Sequence, residues 1–143
     1  SYYLTIAGIG KEKINLQKLA SSLGVENKIF WVYNADIYDL LKKHSIFILS
    51  SRYEGTSNAL LEAISVAKPI IVSNEASDSI NFLKNNHNCI IFPINDIDSL
   101  AKSMEELIND NNFKSKLSKN LMIDYNMYYS KSDFDSHWID LVD

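Results

Sequence analysis

Two rhythms of apolar and polar positions alternate along this chain. "YYLTIAG" (Tyr2 to Gly8) is a run of β-branched and aromatic residues that ends in glycine, the pattern of a strand. "EKINLQKLASSLG" then places Ile14, Leu16, Leu19, Ala20 and Leu23 near helical spacing, with Gly24 as a stop signal. "KIFWV" is a short strand. "DIYDLLKKH" opens on a capping Asp36 and sets Ile37, Leu40 and Leu41 on one helical face. "SIFILSS" is a continuous apolar strand, of the kind buried on both sides in a parallel sheet. A helix is expected from Asn58 to Ala67, stopped by Pro69. "PIIVS" is the next buried strand, "SDSINFLKN" a helix and "CIIFP" a short strand. "DIDSLAKSMEELIND" is a helix capped by Asp96, with a stripe of Ile97, Leu100, Met104 and Leu107. "NFKSKLSKNLMIDYN" and "SDFDSHWIDLV" read as two more helices.

Strands separated by helices through short connections predict an α/β fold, a parallel sheet with helices on both faces. No internal repeat, low-complexity segment or linker interrupts residues 1–143, so one domain is expected. Ligands of open parallel sheets bind beyond the carboxyl ends of the strands. That rule puts the candidate site in "SSRYEGTSN", directly after "SIFIL", which is expected to be a central strand.

Composition narrows the classes. The chain has 143 residues, 46% of them apolar, enough for one real core. A formal charge of −4 with scattered lysines argues against nucleic acid, where phosphate binding needs clustered Lys and Arg. No apolar run reaches the length of a membrane span, and no signal-peptide pattern opens the chain. The single cysteine, Cys89, excludes an internal disulfide and fits a reducing, cytoplasmic compartment. The chain starts at Ser1, one residue before a strand-like run, and is expected to be a piece of a longer protein.

The turn after "SIFIL" carries the most chemistry. Glu54 sits past the strand end, and Gly55 lets the backbone turn sharply and approach a ligand. Thr56, Ser57 and Asn58 are all residues that cap helices. The first free amides, near Ser57 to Leu60, point out of the helix start, and with the macrodipole they suit a phosphate. Glu62 lies further in, where a carboxylate can accept hydrogen bonds from neighbouring hydroxyls, as on a ribose. A phosphate site between two carboxylates that grip hydroxyl groups is the layout of a nucleotide-sugar. Two plainer readings of Glu62 stand beside this one. Half of a capping box fails on spacing, because three residues back lies Ala59, which has no side-chain oxygen. A solvated face position fits the periodicity: Leu60, Leu61, Ile64 and Ala67 make the apolar stripe, and Glu62 falls opposite with Asn58 and Ser65. Periodicity alone favours that reading, and a turn glutamate such as Glu54 is more often a surface charge than a ligand.

The order of residues changes the balance. "SSRYEGTSNALLEAISVAKPIIVS" resembles the signature of retaining glycosyltransferases of GT-B architecture, the glycosyl transferases group 1 type with two glutamates separated by seven residues. There the pattern runs E-G, two small residues, two variable ones, L-L-E-A, then K-P and an apolar strand. "CIIFPINDIDSLAKSMEELI" resembles the family's late strand, acidic turn and helix, and "YYSKSDFDSHWIDLV" its terminal helix. The resemblance implies a Rossmann-like fold: the donor-binding half of a GT-B enzyme, lacking its first strand, as a single partial domain over residues 1–143. The acceptor-binding N-terminal domain would lie outside this chain, and the fragment alone would transfer no sugar. It implies that Glu62 binds the donor's ribose. Glu54 would act at the reacting centre on sugar hydroxyls, as the catalytic carboxylate. Gly55, Thr56, Ser57, Asn58 and Ala59 would line the sugar and diphosphate, and the turn at Val32, Tyr33 and Asn34 would touch the nucleobase. The donor would be a UDP- or GDP-type sugar, the acceptor a surface glycan such as capsule or lipopolysaccharide. No metal or other cofactor is implied, and the full-length protein would work in the cytoplasm or at the cytoplasmic face of the membrane, to which it would attach peripherally.

The departures from the pattern are specific. Val32 and Ala67 stand where the family usually has Gly, as does Cys89. A usual Gly-Gly pair is replaced near Ser77 and Asp78, and the Pro-Glu that follows it by Ile80 and Asn81. These changes leave room for a non-catalytic binding module with a decayed site; a sugar-nucleotide epimerase of similar architecture is a third reading. Elsewhere, "AGIGKEK" lacks the third Gly of a dinucleotide loop and the Ser or Thr of a Walker motif, and reads as a strand-end turn. His44, His87 and His137 have no metal-ligand spacing and read as surface or helix-end residues. Cys89, among Ile90, Ile91 and Phe92, reads as an inert buried thiol, and Trp31 and Trp138 as packing residues.

Overall fold

A computed structural model of the chain describes residues 2–33, 35–53, 55 and 57–129. The chain divides into two compact units, Ser1–Leu40 and Leu41–Asp143. The expected terminal helix "SDFDSHWIDLV", with His137 and Trp138, lies outside the described residues.

The first unit pairs β1 (Leu4–Ala7) with β2 (Ile29–Val32) in parallel, linked by α1 (Lys13–Ser22) and a 3-10 turn at Glu26–Lys28. Gly8 follows β1 at φ 138°, a backbone state that L residues rarely adopt, and its amide donates to the Val32 carbonyl at 3.1 Å. "AGIGKEK" is therefore a strand-end turn, as read from its glycine spacing. α1 stops at Gly24, with φ 65°. Its apolar face departs from expectation. Ala20 is buried, but Ile14, Leu16, Leu19 and Leu23 are exposed, because helical spacing aligns side chains without supplying a surface to cover them.

In sequence, β2 is followed by α2 (Ile37–Lys43), capped as expected by Asp36, whose Oδ1 accepts from the Tyr38 amide at 2.8 Å and the Asp39 amide at 3.2 Å.

The second unit holds β3 (Phe47–Leu49), α3 (Asn58–Ser65), β4 (Ile70–Ser73), α4 (Asn74–Ser77), β5 (Ile90–Phe92), α5 (Ile97–Asn109) and α6 (Asn111–Tyr128). Its strands are parallel, in the order β3-β4-β5. β4 is the middle strand and is buried at all four positions, whereas β3 is half-buried. In this sheet the continuous apolar run of a central strand is thus realised by "IIVS"; "FIL" takes an outer place. Ile71 sits beside Ile48 and Ile90 in register, and Ile71, Ile90 and Phe92 form one core with Leu107 of α5 and Leu117 of α6. Burying this apolar surface is the main favourable term in folding the unit.

Two expected helices change. α5 is capped by Asp96, whose Oδ1 accepts from the Ser99 amide at 2.9 Å; the bonds from Ser99 hold that carboxyl below its usual range. Its stripe holds at Leu100, Met104 and Leu107, but Ile97 at the first turn is 79% exposed. "SDSINFLKN" is not a helix. The only helical turns here are the short α4, capped by Ser73. Downstream, the buried Asn88 amide takes over the backbone: it accepts from the Lys84 amide and donates to the Phe82 carbonyl, both at 2.8 Å. Local side-chain bonds of this kind compete with helical ones.

Candidate functional site

The site starts from how α3 begins. Of the three residues able to cap it, Ser57 does so: its φ and ψ are −75° and 114°, and its Oγ accepts from the Leu60 amide at 3.4 Å. The Leu61 amide donates to the Ser57 carbonyl at 3.1 Å. Among the described residues nothing accepts from the amides of Asn58 and Ala59, the first two of the helix. They lie at the positive end of the helix dipole, where an anion is favoured.

α3 is fixed from behind. Leu60, Ala63 and Ile64 are completely buried, at i, i+3 and i+4. Ala63 replaces Leu61 and Ala67 of the expected stripe, since Leu61 is turned partly away and Ala67 lies beyond the helix end. Glu62 faces the opposite side, half-buried, with Asn58 exposed beside it. Among the described residues the Glu62 carboxylate forms no ion pair or hydrogen bond; only its backbone carbonyl is engaged, by Ser65 Oγ at 2.8 Å. No described residue occupies its two oxygens, which can accept from a ligand.

Gly55 is exposed, and a Cβ built on it would meet open space. Packing among the described residues does not demand a glycine there, while open space is what a close-approaching ligand needs. Glu54 and Thr56 lie outside the described residues, as does Asn34 of the presumed base turn. In the first unit, Val32 ends β2 half-buried, and Tyr33 follows it with the Lys13 ammonium 4.2 Å from its ring centroid, a cation–π contact.

Sequence reasoning missed a set of ties at the strand ends. Ser73 Oγ donates to the Ser51 carbonyl at 2.7 Å, and Asn74 Oδ1 accepts from the Ile94 amide at 2.8 Å. The carboxyl ends of β3, β4 and β5 are thereby held together. At the other end of the sheet, Lys68 of the K-P pair donates from Nζ to the His44 carbonyl at 2.8 Å, closing the chain just after α2, and burial lowers its pKa. Ala67 has φ 49°, a left-handed state that explains the usual glycine of that position.

The remaining candidates keep their plain readings. Cys89 is buried, and desolvation pushes its thiol up to about 12. His87 is a surface residue facing Asp124 (Nε2 to Oδ2, 3.2 Å). Among the described residues no group of three or more His, Cys, Asp or Glu is placed to hold a metal ion, and no helix is long and apolar enough to cross a membrane.

Comparison with known proteins adds three kinds of likeness. The family model described as "Glycosyl transferases group 1" matches residues 1–122. The lipopolysaccharide core biosynthesis glycosyltransferase LpsE of Rhizobium meliloti is 30% identical over 118 residues, covering 82% of this chain and 34% of LpsE. The UDP-Gal:alpha-D-GlcNAc-diphosphoundecaprenol alpha-1,3-galactosyltransferase of Escherichia coli is 31% identical over 132 residues, 90% of this chain and 32% of that enzyme. The chain thus spans about a third of the length of these curated relatives. Among solved structures, Anabaena Alr3699/HepE in complex with UDP superposes with a TM-score of 0.83 at 16% identity, over 99% of this chain and 40% of HepE, which shows a shared fold.

Proposed function

The chain belongs to the glycosyl transferases group 1 family, and from that premise we propose that it forms the donor-binding half of a retaining glycosyltransferase that uses a UDP-sugar. One observation carries this reading: the Glu62 carboxylate, which has no partner among the described residues, stands on the outer face of α3, on the same helix as the Asn58 and Ala59 amides, from which no described residue accepts. In the proposal these amides, with those of Gly55, Thr56 and Ser57, receive the diphosphate, and Glu62 accepts from the ribose hydroxyls. Glu54 touches the donor sugar at the reacting centre. Helix amides neutralise the diphosphate, so the reaction needs no metal ion.

The E. coli relative, named for a UDP-Gal donor and a diphosphoundecaprenol acceptor, supports a lipid-linked surface-glycan precursor as the acceptor class. Such an acceptor supports a working place for the full-length protein at the cytoplasmic face of the membrane. UDP in HepE supports the uridine donor. Holding donor and acceptor in attacking geometry takes a second domain, which the uncovered two thirds of the relatives have length to supply, so the chain alone transfers no sugar.

Two variants of the full-length enzyme test this. The ribose is remote from the chemistry, so Glu62→Ala removes bonds made equally in ground and transition states. It raises the donor KM about ten- to a hundred-fold, with kcat largely kept. Glu54→Ala lowers kcat more than it raises KM, because the sugar ring changes charge as the glycosidic bond breaks. Unchanged donor affinity together with a lower melting temperature in Glu62→Ala would make Glu62 a structural residue and remove the basis of the proposal.

A further inference from the structure

At the carboxyl ends of β3, β4 and β5 the second unit has an open depression of about 150 Å³, lined among the described residues by Arg52, Tyr53, Glu75, Ile94 and Asn95. None of these walls comes from α3, so the depression is separate from the segment that holds the nucleotide in the proposal above. It adjoins that segment in sequence through Tyr53, the residue before Glu54. We propose that this depression is a subsite for a sugar ring of the acceptor glycan, an inference that rests on the donor reading of α3.

The chemistry of the walls fits a pyranose. The ring offers hydroxyls that both donate and accept, around an apolar C–H face. Arg52 supplies only donors, Glu75 only acceptors, and the Asn95 amide one of each kind. Ile94 and the ring of Tyr53, 90% exposed, supply apolar surface. Neither Arg52 nor Glu75 forms an ion pair among the described residues; the Glu75 carboxylate meets only Asn74 Nδ2, at 3.5 Å. Convergent polar groups over an apolar surface are the usual make-up of a small-molecule site.

The walls are also fixed in place. Ser73, fully buried, ties β4 to the Ser51 carbonyl beside Arg52. Asn74, next to Glu75, holds the Ile94 amide, and Asn95 then turns the chain at φ 64°, a state that Asn tolerates better than other side chains. Three strand ends thus present their polar groups from one framework, as a positioning site requires. Transfer needs the acceptor within van der Waals reach of the donor sugar. Arg52 and Tyr53 directly precede Glu54, the carboxylate assigned to that sugar, in the sequence. A larger depression of about 180 Å³ between β5 and α5 is lined partly by the flank of β5 at Ile90 and Ile91 and includes no residue of the E-G turn.

A hexopyranose could come from the donor or the acceptor, and amide NMR titration of the ¹⁵N-labelled chain separates the two. The probes are UDP, UDP-galactose, and the methyl α-glycosides of galactose and N-acetylglucosamine at up to about 50 mM, where weak single-sugar binding is read. The glycosides should shift the amides of Arg52, Tyr53, Glu75 and Asn95, while UDP shifts those at the start of α3. Arg52→Ala and Glu75→Gln should each weaken glycoside binding about tenfold and leave the UDP shifts intact. Absence of glycoside shifts in the depression, or shifts there with UDP-galactose alone, overturns the subsite. UDP shifts missing from α3 while the glycosides still bind would overturn the donor reading and leave the sugar site standing.

Discussion

Both units contain a strand, a turn and a helix in the same order, β1–α1 and β3–α3, but they secure the helix differently. α1 begins at Glu12 without a side-chain cap and buries only Ala20. α3 begins at a capping Ser57 and buries Leu60, Ala63 and Ile64 completely. A Cβ on either turn glycine would meet open space, but Gly8 in the first unit sits at φ 138°, a state that side chains rarely adopt, whereas Gly55 has no such φ. The contrast shows what a helix must have before its start can serve a ligand. Free amides and an outward carboxylate bind only if the helix that carries them is immobile, and in α3 the core behind supplies that.

The sharpest way to break the contrast is through the cores. Ile64→Ala should cost about 2–5 kcal/mol of unfolding free energy. Leu19→Ala, at a 53% exposed position of α1, should change it by less than about 0.5 kcal/mol. Denaturant midpoints read both, and losses of equal size would erase the difference between the helices. The caps come next. Ser57→Ala should cost about 1 kcal/mol, while Glu12→Ala, which removes only a surface bond to Asn15 at 2.9 Å, should stay within about 0.5 kcal/mol. A larger loss at Glu12 would make α1 the better-anchored helix. The ends give the smallest effects, with opposite signs. Both helices are followed by a left-handed residue, Gly24 at φ 65° and Ala67 at φ 49°. Ala67→Gly should relieve strain and raise stability by about 0.5–1 kcal/mol; Gly24→Ala, whose added methyl meets open space, should lower it by a similar amount through backbone strain alone. Melting curves moving in the same direction for both would refute this account of the ends.

Features set within one turn of chain were legible in advance. Asp36 and Asp96 were readable as caps because a side-chain oxygen and the amides it accepts from lie two or three residues apart. Gly24 was readable as a stop and Lys68-Pro69 as a boundary. "PIIVS" read as buried because an unbroken apolar run has no solvent face. "SDSINFLKN" misled, since the amide that organises it belongs to Asn88, beyond the window in which periodicity is read.

The sequence by itself determined the order of elements, the parallel α/β class and the E-G-to-L-L-E-A pattern that marks the family, because each is carried by spacing along the covalent chain. Only the tertiary structure decided which residue caps α3, that Ala63 and not Leu61 completes its buried face, and that Glu62 stands without a partner among the described residues. It alone joined the ends of β3, β4 and β5, through bonds between residues 22 and 20 positions apart. The physical reason is one of range: rise and rotation per residue fix which side chains share a face, but burial and long-range hydrogen bonds depend on which distant segment arrives to meet that face.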